Sequence, residues 1–280
     1  MHRNVLIEQV NDKKSYLCVG LDTDIDKIPK HLRGHSNAIV KFNKQIIDAT
    51  KDLCVSYKIN TAFYEAMGTK GWQAMEETLH SIPSTHLKIA DAKRADIGNT
   101  SSYYAKAFFE TLPFDAITVA PYMGEDSIRP FLEYENKWTI VLGLTSNKGA
   151  NDFEMLNVVR EISNTGKEML YESVLRTVSN WGNKNNLMFV IGATKAAELA
   201  NIRKIIPEHF LLVPGVGFQG GSLAEVSEHG MNKDVGLLVN ASRAIIYAGA
   251  KENFAAEARE IALQYQAEME RLLKLNKQLQ

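Results

Sequence analysis

Eight short runs of apolar residues recur along the chain, and each has the length of a β-strand. The runs are nearly continuous in hydrophobic residues, as in strands of a parallel sheet whose outer face is covered by helices. They read YLCVGLD at 16–22, VSYKIN at 55–60, LKIADAK at 87–93, AITVAP at 116–121, TIVLGLTS at 139–146, LMFVIGAT at 187–194, FLLVPGVG at 210–217 and GLLVNASR at 236–243.

The segments between these runs carry helical spacing or residues that begin helices. Two examples are residues 99–112 and 194–206, and in the second Thr194 is predicted to be the N-cap residue. Eight strands that alternate with helices in a chain of 280 residues predict an α/β fold, namely a (β/α)8 TIM barrel. We expect a single barrel domain over residues 1–280.

Two stretches depart from the repeating unit of strand and helix. The connection near 147–186 is too long for one loop and one helix, so we expect an insertion there. The segment near 253–280 is rich in Ala, Glu, Leu and Lys, and it predicts a C-terminal helix that closes the barrel and keeps one face in solvent.

Composition narrows the class of function. The 32 basic and 33 acidic side chains give a net charge of −1 without a basic block, which disfavours a nucleic-acid partner. Cys18 and Cys54 lie in apolar runs, which favours buried free thiols in a reducing compartment. The first residues lack an apolar signal core, and no apolar run approaches ~18 residues. We therefore expect a soluble, cytoplasmic protein that acts on a small molecule and not at a membrane.

Polar side chains gather at the carboxyl ends of the first three predicted strands. Residues two apart on a strand share a face, so Asp91 and Lys93 point the same way, as do Lys58 and Asn60. Asp22 ends the first strand, and enzymes of this fold carry their sites at this end of the barrel. Any one pair of charges could simply neutralise itself inside a barrel. Five polar residues at one mouth favour a functional site instead.

The other side of the same mouth has the composition of a phosphate site. The seventh strand runs into the glycine-rich turn VPGVGFQGG at 213–221, with Gln219 in its middle, and Arg243 follows the eighth strand. The loops after these two strands are the usual phosphate-binding loops of this fold. A glycine-rich turn alone is more often a tight corner, but Arg243 beside it favours phosphate binding.

Histidine and metal chemistry fit this pattern less well. None of the 7 histidines falls at these strand ends, which disfavours an imidazole acid or base. Asp22, Asp91 and Asp96 have the ligand chemistry for Mg²⁺. Lys58 and Lys93 oppose a metal because they already supply positive charge at the same place, so we expect neither a metal nor another cofactor.

The segment DAKRADIGNT at 91–100 resembles the Asp-x-Lys-x-x-Asp-Ile signature, with its trailing Asn-Thr, of the orotidine 5′-phosphate decarboxylase family. The likeness covers most of residues 16–248, and the Lys-x-Asn of strand two, with the long connection near 147–186, resembles the longer-chain branch of that family. Ala95 stands where that branch would have glycine, which concerns the backbone of the loop more than the chemistry. The other similar motifs are LCVGLDTD, YKINTAFYE, GLTSN, LVPGVGFQGG and NASRAIIYA.

The resemblance implies a role for each matching residue. The catalytic charge network would be Lys58, Asp91, Lys93 and Asp96. Asp96 and Thr100 would reach into the site of the partner subunit, which implies an obligate homodimer. The remaining contacts would be Asp22 and Asn60 for the ribose and the network, Thr145 or Ser146 for the pyrimidine, Pro214 and Ile97 for the apolar wall, and Gln219 and Arg243 for the phosphate.

The reaction that the resemblance implies is the conversion of orotidine 5′-monophosphate to UMP and CO2 in pyrimidine biosynthesis. Lys93 would stabilise the carbanion left at C6 and then protonate it. The nearest alternative is a sugar-phosphate lyase of the same barrel superfamily, which uses Mg²⁺ and places a metal-binding glutamate on strand two, where this chain has Lys58. A barrel that only binds phosphorylated ligands also stays open, as does an aldolase with a Schiff base on Lys58 or Lys93.

Overall fold

The structure, a computed structural model, describes residues 1–159, 167–217 and 220–279. The strands in these ranges are β1 (Leu17–Gly20), β2 (Ser56–Asn60), β3 (Leu87–Arg94), β4 (Ala116–Val119), β5 (Trp138–Leu144), β6 (Asn157–Val159), β7 (Lys167–Met169), β8 (Leu187–Ile191), β9 (Phe210–Pro214) and β10 (Leu237–Ala241). A closed parallel barrel runs β1, β2, β3, β4, β5, β8, β9, β10 and back to β1. The predicted (β/α)8 barrel is therefore confirmed, and each predicted apolar run supplies one of its strands.

Helices connect the barrel strands. They are α1 (Arg3–Lys13), α2 (Lys30–Arg33), α3 (Ala38–Thr50), α4 (Thr61–Glu65), α5 (Thr69–Ser81), α6 (Gly98–Lys106), α7 (Glu125–Leu132), α8 (Leu170–Val178), α9 (Ala196–Ile205), α10 (Leu223–Gly230), α11 (Arg243–Ile246) and α12 (Phe254–Leu279). The helix predicted over 99–112 is α6 followed by a π-helical turn at Ala107–Thr111.

The prediction that Thr194 caps the helix over 194–206 is wrong. Residues Ala193–Lys195 form a 3₁₀ turn, and α9 begins only at Ala196, with Lys195 as its N-cap residue. The Lys195 N–H donates to Gly192 O at 3.0 Å. The chain has therefore already turned through this tighter helix before α9 begins, and Thr194 lies inside the turn instead of at the cap.

Large apolar side chains fill the barrel and the layer between strands and helices. Trp138 on β5, Tyr57 on β2 and Phe210 on β9 are fully buried. Their burial explains the nearly continuous apolar runs, since a barrel strand has one face inside and the other beneath helices. Cys18 and Cys54 are buried free cysteines, and burial raises the pKa of both thiols to about 12.

At the amino-terminal end of the barrel, Arg203 of α9 ties neighbouring loops together. Its guanidinium donates to four backbone carbonyls, those of Gly230 (2.6 Å), Ile206 (3.3 Å), His209 (2.6 Å) and Gly236 (2.9 Å). Burial lowers the pKa of Arg203 to about 9. The charge of this guanidinium is therefore stabilised by the dipoles of backbone peptide groups.

Two stretches extend the barrel. After β5 the chain forms a 3₁₀ turn at Lys148–Asp152, then the antiparallel hairpin of β6 and β7, and then α8. The last helix, α12, reaches the loop after β9, where the Tyr265 hydroxyl lies 3.5 Å from Val216 O. Across the described ranges, no helix is both long enough and apolar enough to span a membrane.

Candidate active site

At the carboxyl end of the barrel, a buried ammonium group lies between two carboxylates. Lys58 on β2 is 3% exposed, and its Nζ donates to Asp91 Oδ2 at 3.0 Å and to Asp22 Oδ1 at 3.2 Å. Strand β2 pairs with β1 on one side and with β3 on the other. Parallel pairing thus places the ends of three strands side by side and brings these three side chains together.

Lys93 also binds the Asp91 carboxylate, but its backbone departs from the regular conformation of a β-strand. Its Nζ donates to Asp91 Oδ1 at 2.6 Å, yet its φ of 48° is left-handed, and β3 shifts register against β4 between Ala90 and Arg94. Thr118 on β4 holds this turn, because its hydroxyl donates to Asp91 Oδ1 at 3.0 Å and accepts from the Lys93 N–H at 2.9 Å. Backbone strain of this kind is typical of functional sites.

The charged neighbours of Asp91 and Lys58 shift the pKa values of both groups. Burial by itself raises the pKa of Asp91, but the ammonium groups of Lys58 and Lys93 outweigh it and hold that pKa well below its usual range. Burial likewise lowers the pKa of Lys58, but Asp22 and Asp91 reverse this effect and raise it above its usual value. At neutral pH Asp91 and Lys58 are therefore both charged.

Asp22, Lys58 and Asp91 line a cavity of about 140 Å³ at the barrel mouth, and Lys93 binds Asp91 beside it. Pro214 at the end of β9, the loop that follows it and Arg243 at the start of α11 form another wall. Gly215 and Gly217 hold left-handed conformations in that loop, with φ of 97° and 76°, which a side chain would strain. The cavity is smaller than the ~300–1,000 Å³ of typical ligand pockets, so a ligand of ordinary size would also occupy the open space above it. The remaining lining residues are Asn60, Val216, Asn240, Ala241, Ser242 and Ala244.

The loop after β3 carries three further predicted residues to the outside of the mouth. Ile97 is 60% exposed, and Thr100 lies on the exposed first turn of α6. Asp96 Oδ1 accepts a hydrogen bond from the Ile97 N–H at 2.8 Å. None of these three side chains is part of the cavity lining, so within one subunit the fold does not bring them together with Lys58.

Thr145 and Ser146 follow β5 at the same end of the barrel, and protein contacts hold both. The two carboxylate oxygens of Glu154 accept hydrogen bonds from Thr145, from its N–H at 2.6 Å and from its hydroxyl at 2.7 Å. Ser146 packs on Gly192, where an added Cβ would come within 2.7 Å of Ser146 N. Gln219, the predicted phosphate ligand, lies outside the described residues.

Comparison with known proteins identifies a family. Residues 15–261 match the orotidine 5′-phosphate decarboxylase / HUMPS family. A protein of Phocaeicola vulgatus named orotidine 5′-phosphate decarboxylase is 55% identical over 276 residues, which cover 98% of this chain and 99% of that relative. The chain belongs to the orotidine 5′-phosphate decarboxylase / HUMPS family.

Other members of the decarboxylase family support the assignment. A Flavobacterium johnsoniae protein of the same name is 58% identical over 271 residues, which cover 96% of this chain and 97% of the relative. Among solved structures, the OMP decarboxylase of Leishmania donovani is similar with a TM-score of 0.78 at 35% identity, covering 94% of this chain and 97% of the other. Sequence and fold thus agree over nearly the whole length.

Three residues at this decarboxylase-family site were absent from the sequence predictions. Thr118 was visible only as a lone hydroxyl in the apolar run AITVAP. Asn240 lines the cavity at 7% exposure, and its Oδ1 has no hydrogen-bond partner among the described residues. It stands in the motif NASR, in which the arginine carries the phosphate prediction. Glu154 gave no sequence signal, because its contact with Thr145 depends on how the long connection folds.

The aspartates considered as Mg²⁺ ligands do not form one cluster. Asp22 and Asp91 both bind the ammonium group of Lys58, whereas Asp96 lies on the outer loop. In the described part of the chain, no group of three or more His, Cys, Asp or Glu side chains is arranged to hold a metal ion. The donors of this family site are therefore engaged with lysine.

Proposed function

We propose that this protein is an orotidine 5′-phosphate decarboxylase, which converts orotidine 5′-monophosphate to UMP and CO2 in the cytoplasm without a metal or other cofactor. The observation that carries the proposal is the array in which Lys58, Asp91 and Lys93 alternate in charge, with Lys58 and Asp91 lining one cavity. Relatives at 55% and 58% identity carry that name over nearly the whole chain. A sugar-phosphate lyase would need an acidic metal ligand where Lys58 stands.

In the proposed reaction the bond between C6 and the carboxylate breaks, and its electron pair stays on C6. No adjacent carbonyl delocalises this pair, so the protein must stabilise it by charge. The Lys93 side chain is 51% exposed toward the open mouth, which leaves its ammonium group free to face C6. It then transfers a proton to C6 and becomes a neutral amine, which takes up a proton from water.

Asp91 contributes through its charge. Its ionised carboxylate accepts from Lys93 Nζ at 2.6 Å and so orients the ammonium group, and it repels the substrate carboxylate until CO2 leaves. A unit charge ~4 Å from the carbanion contributes ~4 kcal/mol at an effective dielectric constant near 20, which is short of the ~8–23 kcal/mol by which enzymes typically lower barriers. Binding energy from the distant phosphate would supply part of the remainder by holding the site in its reactive arrangement.

The rest of the nucleotide would bind along the cavity and above it. Four of the proposed contact residues share the cavity lining with Lys58, which supports a single binding site. A guanidinium is suited to grip a phosphate in two-point contact. The proposed contacts are Asp22 and Asn60 for the ribose and the charge network, Pro214 and Ile97 for the apolar wall, and Gln219 and Arg243 for the phosphate.

The pyrimidine contact would come from the segment that follows β5, where we propose Thr145 or Ser146. The hydroxyl of Thr145 lies 2.7 Å from Glu154 Oε1 and 2.6 Å from Asn147 Oδ1, and Ser146 also has protein contacts. The contact with the ring is therefore proposed for this pair of residues.

The proposal includes a homodimer in which Asp96 and Thr100 complete the site of the partner subunit. Both residues lie outside the cavity lining of their own subunit. Large apolar side chains are exposed nearby in the chain, with Tyr103 on α6 at 66% and Tyr122 after β4 at 91%. Exposed apolar side chains in such number are typical of an interaction surface.

Subunit exchange tests the shared site. Homodimers of Lys93→Ala and of Asp96→Ala should each be inactive, because every site lacks one catalytic group. A mixed dimer contains one site with both wild-type residues, so mixing should restore activity. The extent of exchange is measured with subunits of different mass, and absence of recovery after complete exchange would show that Asp96 acts within its own subunit.

The ultraviolet absorbance of orotidine 5′-monophosphate, mixed with the purified protein in excess EDTA, tests the function itself, because the orotate and uracil rings absorb differently. Conversion to UMP is expected, and EDTA should not slow it. No conversion with or without added Mg²⁺, by protein shown to be folded and dimeric, would overturn the proposal. Conversion that requires Mg²⁺ would overturn the metal-independent mechanism.

A further inference from the structure

Tyr247 links the two walls of the cavity, although its side chain is not among the groups that line it. It follows the last residue of α11, and its N–H donates at 3.3 Å to the carbonyl of Arg243, the first residue of that helix. Its hydroxyl reaches the loop after β1, where it donates to Asp22 O at 3.0 Å and accepts from the Asp24 N–H at 2.8 Å. Tyr247 therefore contacts both the helix that begins with Arg243 and the loop that carries Asp22.

Packing and protonation fix the Tyr247 hydroxyl. The ring stacks on Phe42 of α3 with centroids 6.1 Å apart, and Phe42 is itself fully buried against Phe254, at a centroid distance of 5.0 Å. Burial raises the pKa of Tyr247 to about 12, so its hydroxyl keeps its proton at neutral pH. A tyrosine hydroxyl has one proton to donate, which goes to Asp22 O, while its oxygen accepts from the Asp24 N–H. Its donor and its acceptor are therefore both used to hold the loop after β1.

A second tyrosine supports the same loop at the preceding residue. The hydroxyl of Tyr64, which is fully buried on α4, donates to Leu21 O at 3.1 Å. The Leu21 N–H donates to Lys58 O at 2.8 Å, and the Asp22 carboxylate then binds Lys58 Nζ at 3.2 Å. Because hydrogen bonds weaken steeply when their geometry is poor, the strength of this last contact depends on the backbone that the two tyrosines hold.

We propose that Tyr247 and Tyr64 are positioning residues, which keep the Asp22 carboxylate in place by holding the backbone around it. This inference rests on the proposed function, because it gives both tyrosines a part in turnover. Neither tyrosine lines the cavity, so both act through Asp22. Tyr247 also connects Asp22 to the helix of Arg243, so the charge array and the proposed phosphate contact have a support in common.

Removal of the Tyr247 hydroxyl should weaken both turnover and ligand binding. Tyr247→Phe keeps the ring that stacks on Phe42 and the N–H that donates to Arg243 O. A misplaced group can cost about 100-fold in rate, and here one of two supports remains, so kcat/KM for orotidine 5′-monophosphate should fall about 10-fold. The affinity for UMP should fall as well, because Asp22 is a proposed ribose contact. The absorbance assay and calorimetric titration measure the two quantities, and Tyr64→Phe should behave in the same way.

Tyr16→Phe is the matched control. Tyr16 is fully buried and precedes the first residue of β1, at the opposite end of the strand from Asp22, and its hydroxyl lies 2.6 Å from Ser227 Oγ. Loss of this hydroxyl should lower the melting temperature, as loss of a buried hydrogen bond does. It should leave kcat/KM and the affinity for UMP at their wild-type values.

A double-mutant cycle with Asp22→Ala shows whether the tyrosines act through that carboxylate. In the Asp22→Ala background there is no carboxylate to position, so Tyr247→Phe should leave the affinity for UMP unchanged there, although it lowers this affinity in the wild type. UMP keeps its proposed phosphate contacts in that background, so its binding stays measurable. In turnover, Tyr247→Phe should change the same parameter, kcat or KM, that Asp22→Ala changes most, whereas a general loss of packing has no reason to follow that pattern.

The outcomes separate this inference from the proposed function. If the wild-type protein neither converts orotidine 5′-monophosphate nor binds UMP, the function fails and the inference falls with it. If the wild type does both and the two tyrosine variants match it, only the positioning role is wrong. Equal losses of UMP affinity in the wild-type and Asp22→Ala backgrounds would also overturn that role, as would an equal loss of kcat/KM in Tyr16→Phe. Should Tyr247→Phe not fold, Tyr64→Phe carries the same cycle.

Discussion

Each end of the barrel holds a cation, the buried Lys58 at one end and the half-buried Arg203 at the other, and the two ends stabilise their cation in different ways. At the carboxyl end, Lys58 lies between the carboxylates of Asp22 and Asp91. At the amino end, Arg203 donates to four backbone carbonyls, and no salt bridge to it occurs within the described ranges. Peptide carbonyls neither titrate nor swing away, whereas carboxylates carry full charges that a ligand can meet.

Arg203 and Lys58 differ in what their charge contributes to the protein. All of the contacts described for Arg203 are with backbone carbonyls of the barrel and its loops. The free energy of these hydrogen bonds therefore contributes to the stability of the fold. The Lys58 array borders a cavity and continues to the half-exposed Lys93, so part of its electrostatic energy is available to a substrate. A buried charge therefore indicates a functional site when its partners are themselves charged and open space lies beside them.

The largest effect is expected at the carboxyl end. Lys93→Ala removes both the cation beside C6 and the proton donor, so kcat should fall by at least about 10⁴-fold. Because this side chain is half exposed, the melting temperature should change little, and UMP should still bind. The measurements are the absorbance assay, calorimetric titration with UMP and thermal unfolding. Retention of more than a trace of activity would remove Lys93 from the chemistry.

The converse change at the amino end should affect stability and not the chemistry. Arg203→Met removes the donor to four backbone carbonyls, of which Gly236 O keeps a hydrogen bond from the Leu211 N–H at 2.8 Å, and this loss should lower the free energy of unfolding by about 3–5 kcal/mol. Denaturant titration measures the loss, and kcat per folded molecule should stay at the wild-type value. Lys204→Met, an exposed neighbour, is the control and should change stability by at most about 0.5 kcal/mol. Loss of turnover in folded Arg203→Met would break the distinction between the two ends.

Acid should weaken the amino end first. Burial, with Arg203 and Arg3 nearby, lowers the pKa of His209 from 6.5 to about 4. Between pH ~6.5 and 4 the unfolded chain therefore binds a proton at His209, whereas the folded chain does not. The free energy of unfolding consequently falls by about 2–3 kcal/mol as the pH drops toward 4. The depressed pKa of Asp91 acts in the same direction but at lower pH, since its contribution is present above its unfolded value of ~3.9 and is lost as the pH falls through its still lower folded value.

His209→Phe tests this order. Both ring nitrogens of His209 lack a hydrogen-bond partner in the described structure, so phenylalanine removes the titration without breaking a hydrogen bond. Urea unfolding between pH 7 and 4.5 should show a shallower loss of stability in the variant. The exposed His80→Asn should follow the wild-type curve. A variant as acid-sensitive as the wild type would move the effect to other groups, such as His86, whose pKa burial also lowers to about 4.

The smallest effect concerns the hydroxyl that holds the strained turn. Thr118→Val removes the hydrogen bonds to Asp91 and to the Lys93 N–H, so kcat/KM should fall about 10-fold while Lys93 remains present. Thr139→Val on the next strand is a matched control, because the buried Thr139 hydroxyl has no partner among the described residues. It should keep full activity. Equal activity of the two variants would mean that Lys93 needs no support from β4.

The barrel could be predicted from sequence because a buried strand must be apolar along its whole length. The same argument located the strand ends, and with them Asp22, Lys58 and Asp91. It did not predict the left-handed φ of Lys93, which arises from a register shift between β3 and β4. Residues brought in by distant loops, such as Glu154, leave no periodic signal. The prediction of Thr194 as the N-cap residue is wrong for a local reason, because a 3₁₀ turn at Ala193–Lys195 precedes α9, which begins at Ala196.

The two cysteines of this chain have a practical consequence for spectroscopy. The thiolate is the form that reacts with maleimides, and the pKa of both Cys18 and Cys54 is raised to about 12 inside the barrel. A cysteine introduced at an exposed position, for example Glu260→Cys on α12, would therefore take a dye or spin label alone. The native sequence is thus already a suitable background for distance measurements, with no residue to remove first.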